Sequence, residues 1–329
     1  MEHSARATAD GDSVRGRVSR VDRGGVEIVF VDGSTVTAPP HAGALVGDWV
    51  EVDGRATAPR VVQVCPRSSV LSRASADRTS QEQRLVANVD VVVVVEPAHR
   101  APSLGRVERL LVLAWSSGAE PLVVLTKADL HPDGDRLCRE VQQASPGVPV
   151  VAVSALSGHN LDGMRAHLGA GRTFVLLGPS GAGKSTLVNA LAGVDLLEVG
   201  DVRGDGRGRH TTTHRQLVAL PDGSVLVDTP GLRAVGLVGD ADAVDEVFFE
   251  VAELAASCRF RDCAHEGEPD CAVTLAVAEG VLPQRRLASW RKMQREVAYQ
   301  QRRGDARAER EERAKGRALS QHRRRLNQG

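Results

Sequence analysis

Two periods of apolar residues divide this chain. From Ser13 to about Ser69, short β-prone runs alternate with turn residues: Val14 to Val18, Val26 to Val31, Thr35 to Thr37, Trp49 to Val52 and Arg60 to Val64, separated by Arg23-Gly24-Gly25, Asp32-Gly33, Gly47-Asp48 and Asp53-Gly54. Five short strands at this spacing predict a small closed or nearly closed barrel, of which the oligonucleotide-binding (OB) fold is the frequent kind. Residues 71–83 read as a linker, because the stretch from Ala74 to Gln83 is polar and has no core pattern. Strand and helix patterns then alternate: Asn88 to Val95 strand, Leu104 to Trp115 helix, Leu122 to Leu125 strand, Asp133 to Gln143 helix, Val148 to Val153 strand, Leu161 to Leu168 helix, then strands at Thr173 to Leu177 and Val225 to Val227. Near-continuous Val/Leu strands between helices predict an α/β domain whose parallel sheet is covered on both faces, with ligands at the carboxyl ends of the strands. Beyond Gly236 only helical patterns remain, at Asp242 to Ser257 and Val273 to Val281, the latter stopped by Pro283.

The expected division is a tail over 1–12, a barrel over 13–70, the linker, an α/β domain over 84–236, a helical module over 237–300 and a basic tail over 301–329. At 329 residues and 42% hydrophobic content the chain has room for these parts. No run approaches the roughly 18 apolar residues a membrane span needs, and the polar start lacks a signal core, so a cytoplasmic monomer is expected. The balance of 42 basic and 42 acidic residues hides an asymmetry. Residues 285–329 hold 15 basic against 5 acidic, and the remainder 27 against 37, so a basic end follows an acidic body. Such an end suits a polyanion, although a solvated charged helix has the same composition.

The stretch Gly178-Pro179-Ser180-Gly181-Ala182-Gly183-Lys184-Ser185-Thr186 joins a strand to a helix. Gly178, four residues, then Gly183-Lys184-Ser185 is the spacing at which backbone N–H groups wrap phosphates, the Lys reaches the outer phosphates and the Ser hydroxyl holds Mg²⁺. ATPases, kinases and GTPases all use this loop. Three other strand ends narrow the choice. Leu125 is followed by Thr126-Lys127-Ala128-Asp129, in which the Asp carboxylate accepts from N1–H and the 2-amino group of guanine, donors that adenine lacks. Val153 is followed by Ser154-Ala155-Leu156, whose Ala155 N–H can donate to guanine O6. Val227 is followed by Asp228-Thr229-Pro230-Gly231, where Asp228 supports Mg²⁺ through water and the Gly231 N–H meets the γ-phosphate.

In the usual GTPase order the phosphate loop comes first, whereas here the base-reading motifs precede it. A sheet depends on which strands are neighbours and not on where the chain begins, so a circularly permuted P-loop GTPase domain keeps the site. Gly204 to His214 then fits switch I, with Thr211, Thr212 or Thr213 completing the Mg²⁺ shell; the sequence does not choose among them. Leu232 stands where many GTPases place a water-orienting Gln, so slow resting hydrolysis is expected, with His210 as the group that takes over.

Cys258, Cys263, His265 and Cys271 offer three thiolates and an imidazole in a short span, a set that suits one structural Zn²⁺ with a closed shell. Cys65 and Cys138 read as packing residues. RNA contact by the barrel would lean on Arg15, Arg17, Arg20 and Arg23, since only Phe30 and Trp49 are aromatic there, and a purely structural barrel stays open. Trp290 and Tyr299 serve equally as stacking or packing residues.

Barrel, reordered motifs, Arg209-His210-Thr211-Thr212-Thr213, Asp228-Thr229-Pro230-Gly231-Leu232 and the zinc spacing together resemble the small ribosomal subunit biogenesis GTPase (ribosome small subunit-dependent GTPase A) family over roughly Ser13 to Tyr299. The resemblance implies GTP hydrolysis with Mg²⁺, binding to the 30S subunit through 16S rRNA, stimulation by that particle and release on hydrolysis. Thr126 departs from the family's usual Asn, which implies retained guanine preference, through Asp129, with weaker affinity. Two other classes stay open: an ATPase or nucleotide kinase, separable by GTP against ATP competition, and a non-enzymatic RNA-binding protein in which nucleotide is structural.

Overall fold

The computed structural model describes residues 13–53, 58–74, 82–197, 215–228 and 240–302. The nucleotide sheet is built on β8 (Val91–Pro97), a strand buried along its whole length. It pairs in parallel with β9 (Glu120–Thr126) on one side and β11 (Thr173–Leu177) on the other. β10 (Val150–Ala152) extends the parallel set beyond β9, and β13 (Val225–Asp228) extends it beyond β11. β12 (Gln216–Ala219), which the apolar pattern did not predict, adds antiparallel to β13.

Alternate residues of the valine run serve two faces. Val91, Val93 and Val95 share a core with Leu161, Met164 and Leu168 of α3 (Leu161–Leu168) and Leu187, Val188 and Leu191 of α4 (Lys184–Ala192). On β8 and β9 also packs α1 (Leu104–Ser117), while α2 (Gly134–Ala144) packs on β10. Asp133 caps α2 by accepting from the Arg136 N–H at 2.9 Å. The predicted strand over 88–95 starts later because Asn88 adopts a left-handed conformation, φ 55°. Its side chain works as a junction instead: Oδ1 accepts from the Ser68 N–H at 2.9 Å and Nδ2 donates to Gly47 O at 3.0 Å.

The N-terminal strands are β1 (Ser13–Val21), β2 (Val26–Val29), β3 (Thr35–Ala38), β4 (Trp49–Asp53) and β5 (Arg60–Val64). β1 pairs with both β2 and β4, β2 with β3, and β4 with β5, around a core of Val18, Val26, Ile28, Val50, Val52 and Val61. This is an OB-like pairing in a partly open form, since among the described residues β3 and β5 register no pairs with each other. The predicted linker is partly strand: β6 (Val70–Ala74) and β7 (Glu82–Ala87) form a separate two-stranded sheet. Leu71 and Leu85, which flank the polar stretch, are buried and supply its apolar side.

The chain forms two compact units, one of Met1–Ser72 with Arg84–Val235 and the other of Arg73–Gln83 with Gly236–Gly329. Within the first unit the barrel and the nucleotide sheet are continuous, because β1 pairs with β12 at Arg20↔Gln216. Arg17 makes a second joint: Nη2 donates to Thr173 Oγ1 at 2.7 Å and to Asn88 O at 3.1 Å. Burial pulls its guanidinium below the ordinary range, and Asp90 opposes this. Arg17 is therefore a joint within the fold, whereas Arg15 is exposed and lies 4.8 Å over the Trp49 ring.

In the second unit the predicted helix over 242–257 is broken at Phe248 into α5 (Ala241–Val247) and α6 (Phe249–Ala255). Arg286, counted above with the basic end, is 2% exposed and pins this break. It donates to Glu250 Oε1 at 2.6 Å and Val247 O at 2.7 Å and lies 4.3 Å over the Phe248 ring. α7 (Ala272–Ala278) precedes the Pro283 stop, and a last helix, α8, runs over 284–302. Replacing the joint within the first unit, as Arg17→Met, is expected to lower stability by about 2–4 kcal/mol, the cost of hydrogen bonds to a sheltered charge. An unchanged denaturant midpoint would show that the joint carries no load.

Candidate functional site

The phosphate-loop sequence lies at the carboxyl end of β11 and opens α4. Gly178 runs against β8 so closely that a Cβ there would sit 2.2 Å from Val95 O. Gly181 and Gly183 have φ of 74° and 83°, left-handed conformations that glycine adopts without strain. Ala182 is buried, and Ser180 and Gly181 are exposed at the tip. Lys184 Nζ is held over the loop by Gly178 O at 2.9 Å and Pro179 O at 2.8 Å. Ser185 and Thr186 follow in the first turn of α4, half-buried, where the helix N-terminus favours anions.

Two base-loop segments stand beside this loop. Thr126 ends β9, is 2% exposed, and donates its hydroxyl to Ala182 O at 2.5 Å, a direct tie between the Thr-Lys-Ala-Asp segment and the phosphate loop. Lys127 takes a left-handed turn, φ 58°, and its Cε passes 3.7 Å from where a Cβ on Gly183 would be. Asp129 lies in a short 3-10 turn, Ala128–Leu130, and is exposed. The Ala128 N–H donates to Val153 O at 3.1 Å, which joins this turn to the Ser154-Ala155 loop. Buried Ser154 shapes that loop by donating its N–H to His159 O at 3.1 Å and accepting at Oγ from the Ser157 N–H at 3.2 Å. Ala155 is half-exposed beside it.

Asp228 closes β13. Among the described residues its Oδ2 is buried with no hydrogen-bond partner, and burial pushes the carboxyl above its ordinary pKa. A carboxylate so placed fits a role toward a hydrated cation, and Ser185 offers the hydroxyl expected of the same site. His210, Thr211, Thr212, Thr213, Gly231 and Leu232 lie outside the described residues.

The sequence reading missed two supports. Glu96, 1% exposed at the end of the valine run, is gripped by Arg106 of α1 through bonds of 2.5 and 2.8 Å. An acid closing an all-apolar strand was the available signal. Asn189 of α4 accepts from the Leu197 N–H at 2.8 Å and donates to Leu197 O at 2.9 Å, holding the chain that leaves the helix. Nothing in the local sequence marks that pinch.

In the second unit the ligand atoms of Cys258, Cys263, His265 and Cys271 lie within 4.8 Å of one another. Cys258 Sγ is 3.6 Å from His265 Nδ1 and 3.9 Å from Cys271 Sγ, and Cys271 Sγ is 3.5 Å from His265 Nδ1. Tetrahedral zinc with bonds of about 2.3 Å to sulfur and 2.0 Å to nitrogen implies edges of about 3.5–3.8 Å, which the separations among Cys258, His265 and Cys271 match, with Cys263 within 4.8 Å of them. Cys271 caps α7, accepting from the Thr274 N–H at 3.5 Å, a place that favours a thiolate. His265 has φ 59°, its carbonyl accepts from Arg291, and its ring lies 5.4 Å from that of Trp290. The Trp290 indole N–H donates to Asp245 at 3.2 Å, so this residue packs against the metal cluster, while Tyr299 is 52% exposed. Glu268 accepts from the N–H groups of Ala264, Glu266 and Gly267 and braces the ligand loop.

The family model described as RsgA GTPase matches residues 64–238. The small ribosomal subunit biogenesis GTPase RsgA of Streptomyces coelicolor is 51% identical over 304 residues, covering 89% of this chain and 83% of that protein. Among solved structures, YjeQ from Thermotoga maritima superposes with a TM-score of 0.67 at 27% identity, covering 87% of this chain and 99% of that one. YloQ, described as a circularly permuted GTPase, gives 0.64 at 22% identity over 89% of this chain and 98% of its own, and shares the fold. The strand order described above, with base loops ahead of the phosphate loop, is the permuted arrangement. Since the family match covers more than half of the chain and the Streptomyces protein is 51% identical over 89% of it, the chain belongs to the RsgA GTPase family and hydrolyses GTP.

Proposed function

We propose that this GTPase acts in late maturation of the 30S ribosomal subunit. It docks through 16S rRNA, the particle stimulates hydrolysis, and the change from GTP to GDP releases the protein. The observation that supports the guanine-nucleotide part of the reading is that the Thr126–Asp129 turn is tied to the phosphate loop at Ala182 and to the strand end before Ser154–Ala155 at Val153, since a carboxylate at Asp129 has paired donors to accept only from guanine. The printed name of the Streptomyces relative, a small ribosomal subunit biogenesis GTPase, supports the particle as partner.

In this reading the backbone from Gly178 to Thr186 wraps the phosphates, and Lys184 exchanges its loop carbonyls for the outer phosphate oxygens. Lys127 lies along the base, Ala155 donates to O6, and Thr126 keeps the base loop in register with the phosphate loop. Ser185, Asp228 and one of Thr211, Thr212 and Thr213 hold Mg²⁺, which would offset charge between the β- and γ-phosphates. Gly231 donates to the γ-phosphate and His210 orients water where Leu232 cannot. Cys258, Cys263, His265 and Cys271 hold one structural zinc. The barrel over 13–70 and the basic end over 301–329 contact RNA, with Arg15 taking the exposed position and Arg17 retained inside. The protein works as a cytoplasmic monomer; no helix among the described residues is long and apolar enough to cross a membrane.

Hydrolysis measured with isolated 30S subunits should exceed the resting rate and lose at least about tenfold of its stimulation between roughly 50 and 200 mM salt. No stimulation at low salt would remove the ribosomal reading, and a His210→Ala variant that keeps the parental stimulated rate would remove His210. In nucleotide competition, Asp129→Asn should shift preference from GTP to xanthosine triphosphate, while Thr126→Val should weaken guanine nucleotide binding about fivefold, as expected for one lost hydrogen bond. Unaltered selectivity in the first variant would mean that the base site is elsewhere. Chelation should make the Gly236–Gly329 unit protease-sensitive and leave the nucleotide sheet folded. Unchanged digestion and far-UV spectra would count against a structural metal.

A further inference from the structure

Among the described residues, one carboxylate oxygen of Asp228 is buried without a hydrogen-bond partner. The described strand pairings that place its backbone are those of β13. On the β11 side the registered pairs run Thr173↔Val225, Phe174↔Leu226 and Val175↔Val227 and stop one residue short of Asp228. On the β12 side they include Gln216↔Asp228. Among the strand pairings, Gln216 is thus the residue that registers Asp228.

Gln216 is itself the first residue of β12, the end of a short strand, which frays if its outer edge is open. Here that edge is taken at the same residue by Arg20 of β1, the single registered pair between these two strands. The register of β1 against β2 shifts between Val18 and Arg20, which leaves Ser19 as a bulge, and the Ser19 hydroxyl locks it by donating to Glu27 Oε1 at 2.7 Å. Bulges increase local twist and re-aim a strand. Three residues before the pair, Arg17 fastens β1 to Thr173, the first residue of the phosphate-loop strand. Strand β1 therefore grips both the start of β11 and the start of β12.

We infer that β1 is a positioning element for GTP hydrolysis, with the Arg20–Gln216 pair holding Asp228 in place. The barrel is then part of the frame of the hydrolytic site, in addition to whatever it binds. Arg20, Gln216 and Asp228 form one cross-strand row, and strand spacing puts Arg20 about 10 Å from Asp228. Among the described residues the Arg20 guanidinium pairs with Asp22, at 3.5 Å, and no ion pair joins it to Asp228, so the effect acts through backbone register. The inference rests on Asp228 as the carboxylate supporting Mg²⁺.

The test uses the full chain. Arg20→Pro removes an N–H and bends β1 at the seam. It should raise the Mg²⁺ concentration for half-maximal hydrolysis and lower kcat, each about fivefold, the factor that a cross-strand pair of ordinary strength commands, while KM for GTP stays within about twofold. Amide exchange at Asp228 in the metal-free protein should quicken by a similar factor, and Arg20→Lys should restore all readouts. An Arg20→Pro protein with parental Mg²⁺ requirement and parental exchange at Asp228 overturns the inference. If that variant does not fold, exchange in the parent decides: amides of Gln216 and Asp228 protected like Val227 support the seam, and exchange as fast as at a frayed end refutes it. Asp228→Asn separates the two readings, because an unaltered Mg²⁺ requirement there removes the role of Asp228 itself, whatever Arg20→Pro does.

Discussion

The nucleotide end of this protein depends on one close approach, that of the phosphate loop to the neighbouring parallel strand. Gly178 leaves β11 directly against the carbonyl of Val95 on β8, where no side chain fits. Because β8 also carries β9 on its other edge, the same packing brings Thr126 within hydrogen-bond reach of Ala182. The hydroxyl spans two loops that are 56 residues apart in the chain. Thr126 therefore supplies a mechanical tie between the base loop and the phosphate loop.

The permutation follows from the same geometry. The strands β9, β8, β11 and β13 need only be neighbours, and their loops need only emerge at one end, for the site to assemble. Their order along the chain is free, and here the freed connection is occupied by the barrel, whose first strand closes the far side of the sheet at β12. The N-terminal strands are thus continuous with the catalytic sheet by hydrogen bonding as well as by sequence.

The helical unit solves a different problem. Helices α5, α6 and α7 are short and the ligand loop carries few apolar residues, so cohesion comes largely from polar pins: Arg286 buried at the α5–α6 break, Glu268 gathering three backbone N–H groups, and the thiol-imidazole cluster braced by Trp290. Such pins stabilise only when every member is satisfied, which is why a metal at the cluster would matter more here than in the valine-rich sheet.

Local sequence alone determined the strand-loop-helix at Gly178 to Thr186, the carboxyl-end placement of Thr126, Ser154 and Asp228, the barrel strands and the metal spacing, because each depends on period, turn chemistry or ligand spacing within a few residues. It also misled where local polarity stood in for tertiary context. The stretch from Ala74 to Gln83 read as a linker although strands flank it, a single helix was expected across Phe248, and Arg17 and Arg286 were counted with the surface charge. Strand β12 carries only Leu217 and Val218 as strong strand formers and so did not stand out in the sequence, although it pairs with the predicted β13 across a short turn; its other edge is taken by β1, a partner far away in the chain. Tertiary structure decided which loops share a hydrogen bond, which arginines are spent inside, and that the barrel and the GTPase sheet are one sheet, because those outcomes depend on partners that no window of the sequence contains.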